Sequence, residues 1–196
     1  MHKDIDECLA LIEDDVIRGF CRYIMVGIHD DFCKVAGSTG RHHAFEGGLL
    51  FHSVSVAKLC GEMADHYIKL GKPINKSVAV AGGLLQDIGK VKCYRPAEQT
   101  PGNNRWVATY DDEHFHHIPI GFHMASSVAE KLGIAHEANI KHVLHLIISH
   151  HGKKEWSSPR TPKTLEALIC HHADYIDAAI FATPEAFELK SGGKTY

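Results

Sequence analysis

The sequence LLQDIGK, residues 84–90, places an acid and a base three residues apart at the end of an apolar segment. That segment, residues 77–90, contains AVAGGLL, whose small side chains permit close packing between helices. The carboxylate of Asp87 can bind a divalent cation, and the ammonium group of Lys90 can contact a phosphate oxygen. Asp87 and Lys90 are therefore the candidate catalytic residues.

Hydrophobic residues recur at helical spacing on both sides of this stretch. The predicted helices cover a stripe at residues 5–20 and the segments 49–70, 77–90, 119–132, 136–149 and 164–180. Gly71, Gly133 and Gly152 supply helix-stop signals. Residues 91–117 predict a loop with a short hairpin around WVATY, residues 106–110. The sequence thus predicts a single all-α domain over residues 1–196, with six or seven helices.

Composition excludes several classes of protein. The chain has 196 residues, a net charge of -3 and 44% hydrophobic residues, so a strongly basic nucleic-acid binder is not expected. No apolar run approaches the roughly 18–20 residues of a membrane span, and acidic residues interrupt the N-terminal apolar stretch, which excludes a signal peptide. The six cysteines form no CxxC pair, which favours reduced thiols in a cytoplasmic protein.

Histidine is the unusual residue, with 17 copies, nine of them between His114 and His151. Imidazole is the commonest metal ligand in proteins. At five positions, histidine, glutamine or aspartate lies in a predicted helix or at its end: His52, Gln86-Asp87, His116-His117, His150-His151 and Asp174. Each one alone is explained by a core histidine, a capping carboxylate or chance. Together they suit a divalent metal pair, which can hold a phosphoester and activate a water.

In this order the motifs resemble the HD-domain superfamily of metal-dependent phosphohydrolases, whose pattern is H…HD…D. LLQDIGK resembles the segment with the HD pair, and HHAFEGGLLFHSVSVAK, residues 42–58, resembles the first histidine region. HHIPIG, residues 116–121, and SHHGKKEWSSPRTPKTLEALICHHAD, residues 149–174, resemble bacterial 3′-to-5′ exoribonucleases in which the HD domain follows an OB-fold. The resemblance covers about residues 40–182.

The resemblance implies a helical bundle around a central site with one or two divalent ions, Mn, Fe, Ni, Zn or Mg. His52, Asp87 and Asp174 would hold one ion, and the amide of Gln86 could join them. His117 and one or both of His150 and His151 would hold a second ion, with Asp87 shared. Lys90 would lie near the bound phosphate.

Two departures from the family pattern affect function. Gln86 stands where the pattern has histidine, and an amide oxygen suits Mg or Mn better than Zn. The first ion site is therefore expected to be weak, altered or empty, unless His116 or His43 compensates. The helical periodicity before residue 37 does not fit the short strands of an OB-fold. The RNA-binding domain of that subgroup is therefore expected to be missing.

Three further residues are candidate substrate contacts. Arg41 and Arg160 could hold a phosphate, although surface solvation explains either alone. Trp156 could stack on a base, or it could pin the loop after His151 onto the core.

Three functions remain open at this point. The first is a divalent-metal-dependent phosphohydrolase, a phosphodiesterase or phosphomonoesterase, acting on a phosphorylated small molecule, a nucleotide or a short nucleic acid. The second is a catalytically degenerate HD domain that binds nucleotide or metal in a regulatory role. The third is a scaffold whose histidines are structural.

Overall fold

The computed structural model describes residues 2–40, 42–97 and 105–183. Its helices are α1 Lys3–Ala10, α2 Asp15–Lys34, α3 Gly48–Lys69, α4 Lys76–Leu85, α5 Lys90–Cys93, α6 Tyr110–Phe115, α7 His117–Lys131, α8 Ala138–Ser149 and α9 Leu165–Ala182. Strands β1 Tyr94–Pro96 and β2 Trp106–Ala108 form a two-stranded sheet, and Lys154–Trp156 form a 3-10 turn. Helices dominate, so the predicted all-α class is confirmed. Among the described residues, every helix lacks the combination of length and hydrophobicity that crossing a membrane requires.

The apolar stripe at residues 5–20 is divided between two helices. The Asp14 side chain accepts hydrogen bonds from the backbone N–H groups of Val16 and Ile17, at 2.9 and 3.0 Å, and so caps a new helix. The Ser77 hydroxyl accepts hydrogen bonds from the backbone N–H groups of Glu13 and Asp14, which fixes the turn against α4. Because α2 starts afresh there, Val16 points outward and is 46% exposed.

Helix α4 is the centre of the core. Every residue from Ser77 to Leu85 is buried, and the helix packs against α3, α8 and α9. The two glycines permit this packing: a methyl group on Gly83 would overlap the backbone of Ala57 on α3, and one on Gly82 would overlap Leu146 on α8. The close helix packing predicted from AVAGGLL is confirmed.

Helix α4 ends earlier than predicted, and this end positions the site. The helix ends at Leu85 rather than near residue 90, and the chain turns before α5 begins at Lys90. Gly89 lies against the first residue of α7, because a methyl group there would overlap the carbonyl oxygen of His117. The turn therefore brings Asp87 and Lys90 to the start of α7.

The loop after α5 contains the predicted hairpin. Strand β1 pairs with β2 in antiparallel register, with Tyr94 opposite Ala108. His116 has a positive φ of 65° and separates α6 from α7, which begins at His117, two residues before the predicted start. Gly71, Gly133 and Gly152, the predicted helix stops, also have positive φ angles. The turns at the start of α7 and at the end of α8 bring His116 and His151 to one cavity.

Candidate metal centre

Seven predicted metal ligands come together from five parts of the fold. They are His52 on α3, Gln86 and Asp87 in the turn after α4, His117 at the start of α7, His150 and His151 after α8, and Asp174 on α9. Most are buried, whereas His151 and Asp174 are half-buried. The donor atoms of the histidines and aspartates form overlapping groups, in each of which all atoms lie within 4.8 Å of one another. The residues that the sequence predicts as metal ligands thus lie side by side in the structure.

The first donor group joins His52 to two carboxylates. His52 Nε2 lies 3.0 Å from Asp174 Oδ1 and 3.3 Å from Asp87 Oδ2. Although burial opposes it, hydrogen bonds to Asp174, Asp177 and Asp87 hold the pKa of His52 well above its ordinary value. Burial likewise opposes ionisation of Asp174, but its hydrogen bond with His52 lowers its pKa to about 2. His52 is therefore a protonated imidazolium paired with the two carboxylates, and a metal ion bound at this point has to displace its Nε2 proton.

The second donor group is richer in imidazole. Asp87 Oδ1 lies 3.2 Å from His117 Nε2 and 3.5 Å from His150 Nε2. Within the described chain, these three buried atoms have no hydrogen bond of acceptable geometry. Burial holds the pKa of His117 well below its ordinary value and lowers that of His151 to about 4, so both rings are neutral near pH 7. Neutral imidazoles and an ionised carboxylate with unused lone pairs fit a divalent metal ion.

A second layer of contacts orients the imidazoles. His150 Nδ1 donates to the carbonyl oxygen of Ile147 at 2.8 Å, and His151 Nδ1 donates to that of Trp156 at 2.6 Å. Carbonyl oxygens only accept, so each Nδ1 carries a hydrogen, and in the neutral form of either ring the Nε2 atom has the lone pair. His52 Nδ1 donates to Asp177 Oδ2 at 2.7 Å, which orients the ring, and its Nε2 becomes a metal ligand once a metal ion displaces the Nε2 proton. Such contacts raise the basicity of a metal ligand.

Asp87 has a different neighbour at each of its two oxygens. Lys90 Nζ donates to Oδ2 at 2.6 Å, whereas Oδ1 faces His117 and His150. Burial opposes ionisation, but the Lys90 charge, together with the adjacent imidazoles, holds the pKa of Asp87 well below its ordinary value. The ionised carboxylate therefore lies between the two donor groups.

Gln86 is buried beside the first donor group. Its amide nitrogen lies 3.1 Å from His52 Nε2, and its amide oxygen has no hydrogen-bond partner among the described residues. The alternative histidines, His43 and His116, belong to donor groups made of imidazoles alone: His42, His43 and His52 in one, and His116, His117 and His151 in the other.

A cavity of about 730 Å³ opens next to the donor groups. His151 and Asp174 form part of its wall, together with Trp156 and Tyr175. The two aromatic rings are stacked, with centroids 5.8 Å apart and planes inclined by 8°. Lys153 Nζ lies 4.4 Å from the centre of the Trp156 ring. The cavity thus joins the donor groups to an exposed aromatic surface beside a positive charge.

One predicted arginine contact, Arg160, does not share this position. Arg160 is exposed and is not among the residues that line the cavity; its charge contributes to a lowered pKa of His145, behind the larger effect of burial. Arg41 lies outside the described residues.

Sequence reasoning missed Asp177 and Tyr175. Asp177 follows Asp174 by three residues on α9, so helical spacing could have identified it as a second carboxylate on the same face. The hydroxyl of Ser55 also donates to Asp177. No pattern in the sequence identified Tyr175 as part of the site, because its stacking partner lies on a different element.

Comparisons with known proteins agree with this geometry. A sequence model of the HD domain family matches residues 49–179. The 3′-5′ exoribonuclease YhaM of Geobacillus sp. (strain WCH70) is 32% identical over 194 residues, which are 99% of this chain and 56% of the relative. The protein of that name from Bacillus subtilis (strain 168) is 33% identical, over 99% of this chain and 58% of the relative. The chain therefore spans little more than half the length of these relatives. No solved structure matches it.

Proposed function

Because the chain belongs to the HD domain family, we propose that it is a divalent-metal-dependent phosphodiesterase that acts on RNA or another short nucleic acid. One observation carries the proposal: the two oxygens of Asp87 face two separate donor groups, at distances of 3.2 Å to His117 Nε2 and 3.3 Å to His52 Nε2. A carboxylate shared in this way suits two neighbouring ions. The match to the HD domain family and the adjoining cavity support the same chemistry.

In this proposal the chain's own residues bind and orient the reacting groups. His52, Asp87 and Asp174 would hold one ion, and Asp87, His117 and His150 the other, with His151 beside it in a group with His150 and Asp174. Such a pair supplies charge stabilisation for phosphoryl oxygens and a nucleophile derived from water. Lys90 holds Asp87 through its 2.6 Å hydrogen bond and adds positive charge beside the phosphate position.

The cavity wall favours a nucleic acid over a simple phosphate monoester. Trp156 and Tyr175 offer a flat apolar face on which a base can stack, and Lys153 adds a cation beside it. The relatives are named exoribonucleases, which supports RNA as the substrate class. The six cysteines are free thiols, in agreement with the cytoplasmic location that we propose.

The test is hydrolysis by the purified chain in excess Mn²⁺. The substrates are a 5′-labelled single-stranded RNA, bis(p-nitrophenyl) phosphate and p-nitrophenyl phosphate. We expect metal-dependent cleavage of both diesters, and Asp87→Asn should lower the rate at least about 100-fold. The matched control is Asp31→Asn, because Asp31 is an exposed carboxylate on α2. Absence of diester cleavage by the wild type, or full activity in Asp87→Asn, would contradict the proposal.

Gln86 supports a second candidate function, a regulatory domain that binds nucleotide or metal without turnover. Its amide lies 3.1 Å from His52 Nε2, where the family pattern has an imidazole, so it weakens the case for a complete catalytic centre. The deciding variant is Gln86→His. Hydrolysis that occurs only in this variant favours the binding domain, and hydrolysis by the wild type rejects it.

A further inference from the structure

We infer that the two ion sites are chemically unequal: the imidazole-rich site retains Zn²⁺, Fe²⁺ or Ni²⁺, whereas the site beside Gln86 takes a harder, exchangeable ion such as Mn²⁺ or Mg²⁺. This inference rests on the proposed function, since it describes the ions of the same centre. Its consequence is regulatory, because occupancy of the second site would follow the free concentration of the hard ion.

The imidazole-rich site has the donors that transition metals prefer. His117 and His150 supply two nitrogens and Asp87 Oδ1 supplies one oxygen, and His151 adds an imidazole that groups with His150 and Asp174 and, separately, with His116 and His117. Backbone carbonyls hold His150 and His151 with their Nε2 lone pairs available. Zn, Fe and Ni bind such imidazole sets well. An ion at this site should survive removal of free metal.

The site beside Gln86 has mainly oxygen donors. His52 is the one imidazole of the predicted set, and the carboxylates of Asp87 and Asp174 lie 3.3 and 3.0 Å from its Nε2. The Gln86 amide lies 3.1 Å from the same atom. A cation at this point favours the amide rotamer that turns its oxygen inward, since the two ends of an amide exchange by a flip. Three oxygens and one nitrogen suit Mg²⁺ and Mn²⁺ better than Zn²⁺.

Lys90 weakens the oxygen-rich site further. It donates to Asp87 Oδ2, the oxygen that faces His52, at 2.6 Å. An ion beside His52 must therefore share this oxygen with an ammonium group. Asp87 Oδ1, which faces His117 and His150, makes no hydrogen bond within the described chain. The two oxygens of one carboxylate thus offer unequal ligand strength to the two sites.

In the observed geometry, the nearby histidines do not make the two ion sites equal. His43 points its Nε2 toward Asp177, at 3.6 Å from Oδ2, and its other nitrogen faces His42 at 3.1 Å. The donor group that contains both rings includes His52 but neither Asp87 nor Asp174. His42 nevertheless lines the cavity, so its contribution is an alternative that the experiment has to separate.

The experiment measures bound metal rather than activity. The wild type, Gln86→His and His42→Ala are stripped with chelator, loaded with excess Zn²⁺ and desalted, and the zinc per chain is measured by elemental mass spectrometry. We expect one equivalent in the wild type, two in Gln86→His and one in His42→Ala. Val16→His is the matched control for an added histidine, because Val16 is exposed on α2; it should retain one equivalent.

A titration of the wild type with Mn²⁺, followed by electron paramagnetic resonance, tests the same inference without a substitution. We expect two classes of site whose dissociation constants differ by at least about 10-fold. Two equivalents of zinc retained by the wild type, equal counts in wild type and Gln86→His, or two identical Mn²⁺ sites would overturn the inference. So would loss of zinc in His42→Ala. Because these readouts are occupancies, an inactive protein with unequal sites would reject the proposed function alone.

Discussion

Lys90 Nζ lies 2.6 Å from Asp87 Oδ2, and both side chains are buried. The pair is separated by three residues across the turn between α4 and α5. Burial of Lys90 disfavours its charge, but the Asp87 carboxylate outweighs this effect and raises the pKa of Lys90. Both groups are therefore charged at neutral pH, and the ammonium remains beside the donor groups instead of in solvent.

Replacing Lys90 should separate catalysis from ion binding. Lys90→Gln removes a positive charge near the phosphate position, and we expect kcat for diester cleavage to fall about 100-fold. It also releases Asp87 Oδ2, so the Mn²⁺ affinity of the site beside His52 should not decrease. Lys92→Gln is the control, since Lys92 is exposed two residues away. An unchanged kcat in Lys90→Gln would rule out this role.

Asp177 should control metal affinity without binding an ion itself. Its Oδ2 accepts from His52 Nδ1 at 2.7 Å and so orients the ring. Asp177→Asn is expected to weaken Mn²⁺ binding about 10- to 100-fold, as measured by calorimetric titration. Ser55→Ala removes only the hydroxyl that donates to the same carboxylate and should have a smaller effect. Equal affinities in Asp177→Asn and wild type would contradict a positioning role.

Trp156 should affect substrate binding more than chemistry. Its ring is exposed at the cavity wall and stacks on Tyr175, so a base can add to the stack. For an RNA substrate, Trp156→Ala should raise KM about 5- to 150-fold, with kcat nearly unchanged, because base stacking contributes about 1–3 kcal/mol per base. Trp156→Phe should restore part of the loss. For bis(p-nitrophenyl) phosphate the effect should be smaller. A loss confined to kcat would exclude stacking.

Glu166 links the start of α4 to α8 and makes stability depend on pH. It accepts from the backbone N–H of Asn75 at 2.7 Å and lies 3.2 Å from His142 Nε2. Burial would raise its pKa, but the hydrogen bonds from His142 and from the Asn75 backbone are stronger and lower it below 4.5. Stabilisation from the ionised group is therefore present above that ordinary value and is lost as pH falls through the lowered folded-state value.

Glu166→Gln tests this linkage by urea unfolding of the metal-free protein. At pH 7 the variant should be less stable by about 1 kcal/mol, since a charge-assisted hydrogen bond becomes a neutral one. Near pH 3 the difference should shrink, because the wild-type carboxyl is then approaching protonation. Glu155→Gln, an exposed change, should alter neither value. A pH-independent difference would contradict the assignment.

Gly89 should be required for the position of His117. A methyl group at residue 89 would overlap the His117 carbonyl oxygen, so Gly89→Ala has to displace α7. We expect a loss of about 1–3 kcal/mol in the free energy of unfolding, together with less retained zinc. Gly27→Ala is an informative control, because its added methyl group meets open space on α2. It should stabilise the helix by about 0.5–1 kcal/mol. Equal stabilities of Gly89→Ala and wild type would refute the contact.

The sequence predicted the helical class and the metal-ligand set for two different reasons. Helical periodicity identified the long helices, whereas the ligands were assigned from the order of five motifs. The details that were missed depend on tertiary contacts. Ser77 fixes the break between α1 and α2 by binding Glu13 and Asp14, residues more than 60 positions away in the chain. Periodicity within one segment contains no information about such a contact.

The same distinction applies within the site. Asp87 and Asp174 occur in recognisable motifs, but the unequal use of the two Asp87 oxygens depends on where Lys90 and His117 lie after folding. The sequence also contained Gln86 as a visible departure from the pattern. Its 3.1 Å contact with His52 required the structure, because the two residues come from different helical regions.

The most direct test of the central claim is anomalous X-ray scattering from crystals of the protein loaded with Zn²⁺ and then with Mn²⁺. We expect a zinc peak about 2.0–2.2 Å from His117 Nε2, His150 Nε2 and Asp87 Oδ1. We also expect a separate manganese peak between His52, Asp87 and Asp174. Peaks that avoid Asp87 and occur only at exposed histidines such as His136 would contradict the claim.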